Sequence, residues 1–186
     1  LVIPSITLVG LSMGGRISQD FYFRYPERVN AMVLCDTFPG TTPNLPPEKM
    51  DEFINLRKGP LIAGKSLREM AEPLARTLIS KNGKPEHFQR LVTSIVALHK
   101  ESYIKTIEAT TRYNRRVDLS KIAVPVQLIY GAEDKLTPPE IGRKMQQKIS
   151  GAELAIVDGA GHLVNIERGA EFNIILQGFL KRVAPA

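Results

Sequence analysis

The chain has few of the residues that mark several specialised classes of protein. Its 186 residues include one cysteine and no tryptophan, so a framework of disulfide bonds is excluded. Cys35 closes an apolar run that begins at Val29, which predicts a buried, unreactive thiol rather than a redox or metal-binding group. One cysteine also fits a reducing compartment, and we predict a cytoplasmic location.

Long apolar runs are missing as well. No segment approaches the roughly 20 consecutive apolar residues that a transmembrane helix needs, so no membrane contact is predicted. The opening residues, LVIPSITLVG, lack the basic segment and the small-residue cleavage site of a signal peptide. Because the chain begins at Leu1 and enters a strand within a few residues, we expect it to be the interior of a longer protein.

Charge of one sign is not concentrated anywhere in the chain. The formal net charge is +6 at pH 7, but the basic residues are scattered and no aromatic residues alternate with them. The densest basic groups are small ones, namely Arg112, Arg115, Arg116 and Lys144, Lys148. We therefore predict no binding of nucleic acid, and a mild attraction of anionic substrates is the weaker alternative.

What the sequence does contain is an alternation of apolar strands and amphipathic helices. The first apolar run is unbroken and predicts a strand buried on both faces. Alternating strands and helices indicate an α/β fold with a mostly parallel sheet. Strands are predicted at 6–9, 29–34, 124–131 and 154–157, and the last helix carries an apolar stripe of Phe172, Ile175, Leu176, Phe179 and Leu180.

The middle of the chain has a different pattern. Between Glu48 and Tyr113, apolar residues recur at helical spacing and no strand pattern interrupts them. We predict three or four helices that form an inserted cap. The predicted division is an α/β core at 1–40 and 118–186 with a helical cap at 41–117.

A glycine-rich turn follows the first predicted strand. Residues 10–14, GLSMG, match G-x-S-x-G, a pattern in which a sharp strand-to-helix turn holds the serine in a strained conformation. Gly10 and Gly14 are expected to remove steric clashes around Ser12. The backbone N–H of Met13, at the start of the next helix, is predicted to donate to an oxyanion there. Chance matches to so short a pattern are common, so a purely structural turn stays open at this point.

A serine hydroxyl needs a base before it can act as a nucleophile. Of the three histidines, His87 and His99 lie in the predicted cap, where surface or packing roles are usual. His162 follows the fourth predicted strand, and Asp134 follows the third. The chain order Ser12, Asp134, His162, with each residue just past a strand end, is the order of the α/β-hydrolase triad.

Four segments together resemble the α/β-hydrolase superfamily: GLSMGG, RYPERVNAMVLCDT, VPVQLIYGAEDKLTPP and DGAGHLVNIERGAEFN. The chain is similar to the C-terminal two-thirds of such a protein, with an inserted helical cap. The resemblance implies Ser12 as nucleophile, His162 as general base and then acid, and Asp134 as the carboxylate that orients His162. GLSMGG with GHLVNIE is most similar to the branch that opens 3-oxoadipate enol-lactone.

Other acidic residues compete with Asp134 for the role of the acid. Asp36 ends the second predicted strand, and some members of the superfamily use that position. The sequence context GAEDKLTPP favours Asp134. Glu133 is expected to point away from the site, and Asp158 is expected to belong to a turn.

The features together predict a serine hydrolase that cleaves a small carboxylic ester or lactone through an acyl-enzyme, without cofactor or metal. A C–C bond hydrolase of the same fold is one alternative, and a non-catalytic receptor or regulator that keeps the triad as a ligand pocket is another. Serine at position 12 argues against the epoxide hydrolases and haloalkane dehalogenases of this fold, which place a carboxylate there. The expected partner is the small substrate, and the sequence leaves a homo-oligomer open.

The resemblance also implies that part of the site lies outside this chain. The first strands of the superfamily, and the loop that supplies its second oxyanion N–H, are expected before Leu1. Loss of one oxyanion donor typically costs about 10²–10³ in turnover, and the first strand would become an open edge. We therefore expect an intact parent protein to be a hydrolase and the 186-residue chain alone to be inactive or unstable.

Overall fold

The computed structural model describes residues 3–40, 46–113 and 117–183. Arg115 and Arg116 of the densest basic group, together with the predicted cap boundary around 41–45, lie outside the described residues. Within the described ranges the protein is a parallel sheet with helices on both faces and a separate group of helices beside it.

Four strands form one sheet, and their order across the sheet equals their order along the chain. Every neighbouring pair is parallel, which confirms the predicted α/β fold. Each strand has one end as predicted and one end that differs by one or two residues. The strands are β1 (Ile6–Leu11), β2 (Val29–Cys35), β3 (Val126–Gly131) and β4 (Glu153–Val157).

The prediction that the first strand is buried on both faces is wrong. Strand β1 lies at an edge of the sheet, and Val9 is 50% exposed. Leu8 packs into the core with residues of the next helix, and Val9, its neighbour, points to the opposite face because side chains alternate along a strand. An apolar run predicts a strand well, but how many of its faces are covered depends on which elements pack beside it.

Eight α-helices are described. They are α1 (Met13–Arg24), α2 (Pro47–Ile62), α3 (Leu67–Leu78), α4 (Pro85–Val96), α5 (Lys100–Arg112), α6 (Pro139–Lys148), α7 (Val164–Glu167) and α8 (Gly169–Val183). The sequence did not predict α7, whose four residues are too few to show a periodic pattern.

The two faces of the sheet are covered by different helices. Tyr22 of α1 and Met145 of α6 pack on one face against Leu34 and Leu128. Phe172 and Phe179 of α8 pack on the other face, with Val33 and Ile129 among their buried neighbours. Residues of β2 and β3 therefore serve both clusters, and Cys35 is buried as predicted. This packing holds the carboxyl ends of all four strands at one edge of the sheet.

Helices α2–α5 lie between β2 and β3 in the chain, which confirms the prediction of three or four helices there. Helices α3 and α4 have a small core of their own around Ala71, Ala75, Leu91 and Ile95. Leu163, from the turn after β4, packs against this cluster and joins it to the sheet. Assignment of 41–117 as a cap domain stays a prediction.

Helix α3 begins with a reciprocal cap. The Ser66 hydroxyl accepts from the Glu69 N–H, and the Glu69 carboxylate accepts from the Ser66 N–H. Such a pair satisfies two of the backbone donors that a helix start leaves without partners. The paired bonds fix where α3 starts. Over the part of the chain described here, no helix has the length and apolar character to cross a membrane.

Candidate active site

Ser12 lies on a strained turn between β1 and α1. Its backbone has φ +52° and ψ −115°, a combination that non-glycine residues rarely adopt and that tertiary structure must enforce. The Ser12 N–H donates to the carbonyl of Cys35 at 2.8 Å, and the Thr37 hydroxyl donates to the Ser12 carbonyl at 2.6 Å. The neighbouring strand end thus holds both sides of the Ser12 backbone.

Close packing of the turn explains Gly10, which was predicted, and Gly15, which was not, but it does not explain Gly14. A Cβ on Gly10 would lie 2.4 Å from the Gly14 carbonyl oxygen, and one on Gly15 would lie 2.7 Å from the Thr37 side chain. Neither neighbour can move easily, because one is backbone and the other is fully buried. A Cβ on Gly14 would meet nothing within 4 Å, so the prediction that Gly14 relieves a clash is wrong.

The turn after β4 brings His162 to Ser12. The distance from His162 Nε2 to Ser12 Oγ is 2.8 Å, although 150 residues separate the two in the chain. On the other side of the ring, His162 Nδ1 lies 2.8 Å from Asp134 Oδ2. With a proton on Nδ1, Nε2 is free to accept the proton of the Ser12 hydroxyl. All three predicted residues are therefore joined in one row of hydrogen bonds, which runs from Ser12 through His162 to Asp134.

The Asp134 carboxylate is held by its own loop. Its Oδ1 accepts from the backbone N–H groups of Leu136 and Thr137 at 2.8 and 3.0 Å. The Thr137 hydroxyl donates to Oδ2 and lies 3.2 Å from His162 Nδ1. These bonds leave the carboxylate one orientation, with Oδ2 facing the imidazole.

Sequence reasoning missed Thr137, which is fully buried beside the Asp134 carboxylate and the His162 ring. A signal was present in the spacing Asp134-x-x-Thr137, since an acidic side chain commonly accepts from backbone donors two and three residues later. That signal indicates a turn and does not reveal that the threonine hydroxyl reaches a histidine from another strand.

Opposing influences set the ionisation of Asp134. Burial by itself would raise the pKa of the carboxyl, since a charged group loses its hydration there. The hydrogen bond and charge of His162, with the bonds from Thr137, outweigh burial and hold the pKa of Asp134 below its ordinary value. Asp134 is therefore ionised at neutral pH and available to stabilise a positive charge on His162.

The competing residues are placed elsewhere. Glu133 accepts from the backbone N–H of Lys81 and so points away from the imidazole, as predicted. His87 lies on α4, and His99 caps the start of α5. Asp158 is in the turn after β4, also as predicted. None of these four side chains stands in the row formed by the three predicted triad residues.

Asp36 is the fifth competitor, and it is buried at the end of β2. Its backbone has φ +42°, and its Oδ1 accepts from the Gly131 N–H at 2.8 Å. Burial is the main reason that the pKa of Asp36 is raised to about 8, against the opposing effect of the Gly131 hydrogen bond. In the folded protein this carboxyl is therefore mostly protonated at neutral pH, which makes it a poor stabiliser of an imidazolium.

Asp36→Asn is expected to stabilise the fold in a pH-dependent way. In the unfolded chain the carboxyl ionises near pH 4, so wild-type stability falls as pH rises from about 4 to about 8 and is level above that. Asparagine keeps an acceptor for Gly131 and has no proton to lose. We expect it to gain about 1–3 kcal/mol at pH 8 relative to pH 4, measured by urea unfolding at both values. The exposed Asp158→Asn is the control, and an equal effect of Asp36→Asn at both pH values contradicts the prediction.

The predicted oxyanion donor is at the start of α1. Met13 is the first residue of that helix, and the first N–H groups of a helix have no acceptor within it. The positive end of the helix dipole also points toward Ser12 and favours negative charge there. The arrangement can stabilise an oxygen anion formed at a carbon attached to Ser12 Oγ.

Two cavities approach the Ser12–His162 pair. One, of about 1210 Å³, lies between helices α2–α4 and the strand ends, and Asp134, Leu136 and His162 are in its wall. The other, of about 210 Å³, lies between α1 and α5, and Met13 is in its wall. Ser12 is not among the residues that line either cavity. Across the described ranges, no three His, Cys, Asp or Glu side chains are grouped to hold a metal ion.

Comparison with known proteins identifies the family of the chain. A sequence model of the family described as alpha/beta hydrolase fold matches residues 1–169. The chain belongs to the alpha/beta hydrolase fold family. This match confirms the family resemblance and the fold class that the sequence predicted.

Two curated relatives extend the comparison. The chain is 26% identical to 3-oxoadipate enol-lactonase 2 of Acinetobacter baylyi, over 98% of this chain and 66% of that protein. It is 28% identical to a 2-hydroxy-6-oxononadienedioate/2-hydroxy-6-oxononatrienedioate hydrolase of Escherichia coli, over 98% of this chain and 64% of that protein. The chain thus spans slightly less than two thirds of these relatives, both of which are hydrolases.

Solved structures of the family superpose on the chain. The enol-lactonase from Burkholderia xenovorans LB400 is 26% identical, with a TM-score of 0.80 over 96% of this chain and 66% of that one. A thermophilic esterase from Thermogutta terrifontis reaches a TM-score of 0.85 at 23% identity, over 98% of this chain and 66% of that one. The esterase supports the fold alone at that identity.

Proposed function

We propose that the protein is a serine hydrolase of small carboxylic esters or lactones that uses Ser12, His162 and Asp134 as a catalytic triad. The observation that carries the proposal is the unbroken row from Ser12 Oγ through the imidazole to the Asp134 carboxylate, with both distances 2.8 Å. A strained backbone at the serine adds support, because strain of this kind clusters at active sites.

Acylation follows from this row. His162 Nε2 accepts the proton as Ser12 Oγ attacks the carbonyl carbon of the ester, which gives a tetrahedral intermediate. The Met13 N–H and the positive end of α1 stabilise the negative oxygen. His162 then gives its proton to the leaving alkoxide as the carbon–oxygen bond breaks, and the acyl group stays on Ser12.

Deacylation repeats the sequence with water. His162 accepts a proton from the water as its oxygen attacks the acyl carbon, and then returns a proton to Ser12 Oγ when that bond breaks. The products are the free acid and an enzyme in its starting protonation state. Asp134 holds Nδ1–H throughout and lowers the energy of the imidazolium that forms in each half-reaction.

The cavity between cap and sheet supports an anionic substrate. Its wall carries the basic residues Arg57, Arg76, Lys81 and Lys135, and Glu133 is the acidic residue that faces them besides the triad's Asp134. The guanidinium groups of Arg57 and Arg76 lie over the rings of Phe53 and Phe88, at 4.0 and 4.8 Å, which holds them in place. A carboxylate-bearing ester or lactone fits such a wall, and the enol-lactonase relative is consistent with that class.

A second candidate is hydrolysis of a carbon–carbon bond. Several curated relatives are named as 2-hydroxy-6-oxononadienedioate/2-hydroxy-6-oxononatrienedioate hydrolases, and the same triad could serve that reaction. No contact in the site favours the non-catalytic receptor that the sequence left open. A cytoplasmic location and a homo-oligomeric state stay predictions.

The test is covalent labelling followed by product analysis, on the protein as its gene encodes it. A fluorophosphonate probe is expected to label one peptide, the one that contains Ser12. Labelling is expected to disappear in Ser12→Ala and to persist in Ser94→Ala, which removes an exposed cap hydroxyl instead. The absence of labelling in the wild type would overturn the proposal and favour a binding role.

Product analysis then distinguishes ester or lactone hydrolysis from carbon–carbon bond hydrolysis. 4-Nitrophenyl acetate, a carboxylate-bearing lactone and a 2-hydroxy-6-oxo-dienoate are offered at equal concentration. Turnover of the first two supports the ester or lactone hydrolase. Selective cleavage of the dienoate identifies the carbon–carbon hydrolase.

A further inference from the structure

The segment 78–81, which leaves α3, is bonded to the turns that carry the proposed triad. The Leu78 carbonyl accepts from the His162 N–H at 2.8 Å. The Lys81 N–H donates to the Glu133 side chain at 3.2 Å, one residue before Asp134. The cap is therefore attached to the His162 turn by a bond between backbone groups and to the Asp134 turn through the Glu133 side chain.

One buried carboxylate completes this attachment. Glu167, the last residue of α7, is 3% exposed. Its Oε1 accepts from the Gly161 N–H at 2.7 Å, and its Oε2 accepts from the Ser80 N–H at 2.9 Å. A single side chain thus joins the residue before His162 to the cap segment 78–81.

The atoms around the Glu167 bridge between Gly161 and Ser80 are closely packed. A Cβ on Gly161 would lie 2.6 Å from Ser80 N, 2.9 Å from the Leu78 carbonyl oxygen and 3.0 Å from Glu167 Oε1. A Cβ on Gly131, at the end of β3, would lie 2.1 Å from the Gly161 carbonyl oxygen. The turn before His162 is enclosed on one side by the cap and on the other by the strand that leads to Asp134.

We infer that Glu167 is a positioning residue for His162, and this inference rests on the proposed triad. Consecutive N–H groups, those of Gly161 and His162, are held from the cap side, one through Glu167 and one directly by Leu78. The backbone of His162 therefore cannot rotate without breaking a bond to segment 78–81. The direction in which the His162 side chain points toward Ser12 depends on that anchorage.

Glutamine cannot replace Glu167 in this role. Both partners of the carboxylate are N–H donors, so both of its oxygens must accept. The amide of glutamine has one oxygen and one NH2 group, and the NH2 group would face a donor. One of the two bonds must break, and a displacement of about 1 Å at a catalytic group can cost about 10²-fold in rate.

The experiment compares Glu167→Gln with the wild type in kcat per active site, where the number of sites is counted by a fluorophosphonate titration. We expect kcat per titrated site to fall by about 10- to 100-fold with KM changed less than twofold. A merely structural role would reduce the number of titratable sites and leave kcat per site unchanged.

Two control variants are measured in the same way. Glu171→Gln makes the same change at an exposed position of α8 and is expected to leave kcat unchanged. Ile149→Val trims a buried side chain on the opposite face of the sheet, so it lowers stability without reaching His162. Unaltered kcat per site in Glu167→Gln, or an effect on KM alone, overturns the inference.

Amide hydrogen exchange tests the anchorage without reference to activity. Glu167→Gln is expected to increase exchange at the Gly161 and His162 amides, relative to Glu171→Gln. If the wild type proves inactive, the proposed function fails, but this measurement still decides whether Glu167 holds the turn. Unchanged exchange at both amides refutes the anchorage.

Discussion

Replacing Ser12 by alanine is expected to lower kcat for ester hydrolysis by roughly 10⁶-fold, the scale found when a nucleophile that acts as part of a triad is removed. The hydroxyl is the group that His162 deprotonates, and its Oγ lies 2.8 Å from Nε2. Alanine leaves the imidazole, the Asp134 carboxylate and the Met13 N–H in place. KM is expected to change little, because Ser12 Oγ forms its bond to the carbonyl carbon of the substrate only during the reaction.

Steady-state kinetics on the protein as its gene encodes it measure this effect, with Ser94→Ala as the matched control. The control removes a hydroxyl that bonds to the carbonyl of its own helix, so its kcat should equal that of the wild type. A loss of less than about 100-fold in Ser12→Ala would mean that another group performs the attack.

Asp134→Asn is expected to lower kcat by roughly 10⁴-fold, the scale found for the same change in another serine hydrolase. The backbone donors of Leu136 and Thr137 hold Oδ1, so an asparagine at this position keeps its oxygen there. Its NH2 group then faces His162 Nδ1 and makes that nitrogen an acceptor. The neutral ring must carry its proton on Nε2, where it cannot accept the Ser12 proton.

The competing acid supplies the control for this prediction. Asp36→Asn is expected to change kcat by less than about tenfold, since its carboxyl is bonded to Gly131 and has a pKa raised to about 8 by burial. The exposed Asp158→Asn should have no effect. A larger loss from Asp36→Asn than from Asp134→Asn would transfer the role of the acid to Asp36.

Much of the site could be predicted because its signals are local. The turn at Ser12 combines an apolar strand, a glycine pattern and a following helix within one short segment. Asp134 and His162 each follow a strand directly, and carboxyl ends of parallel strands meet at one edge. Residue type and chain order were therefore enough to select three residues that lie in one row.

Features that depend on contacts with residues distant in the sequence could not be predicted in this way. The burial of β1 was misjudged because exposure of Val9 depends on what packs beside an edge strand. The need for glycine was predicted correctly at Gly10 but wrongly at Gly14, whereas Gly15 is the residue pressed against Thr37. Thr37 is 22 residues further along, and nothing in the pattern around Ser12 reveals it.

The amino-acid sequence therefore specifies the strands, the helices and the chemical groups at the strand ends, because periodicity and turn residues act over a few positions. Distances between those groups come from packing. The 2.8 Å contact of Ser12 with His162 and the bridge of Glu167 between Gly161 and Ser80 join segments separated by 150 and 87 residues. Such contacts exist because two helical layers enclose the sheet and bring remote backbone groups into hydrogen-bond range.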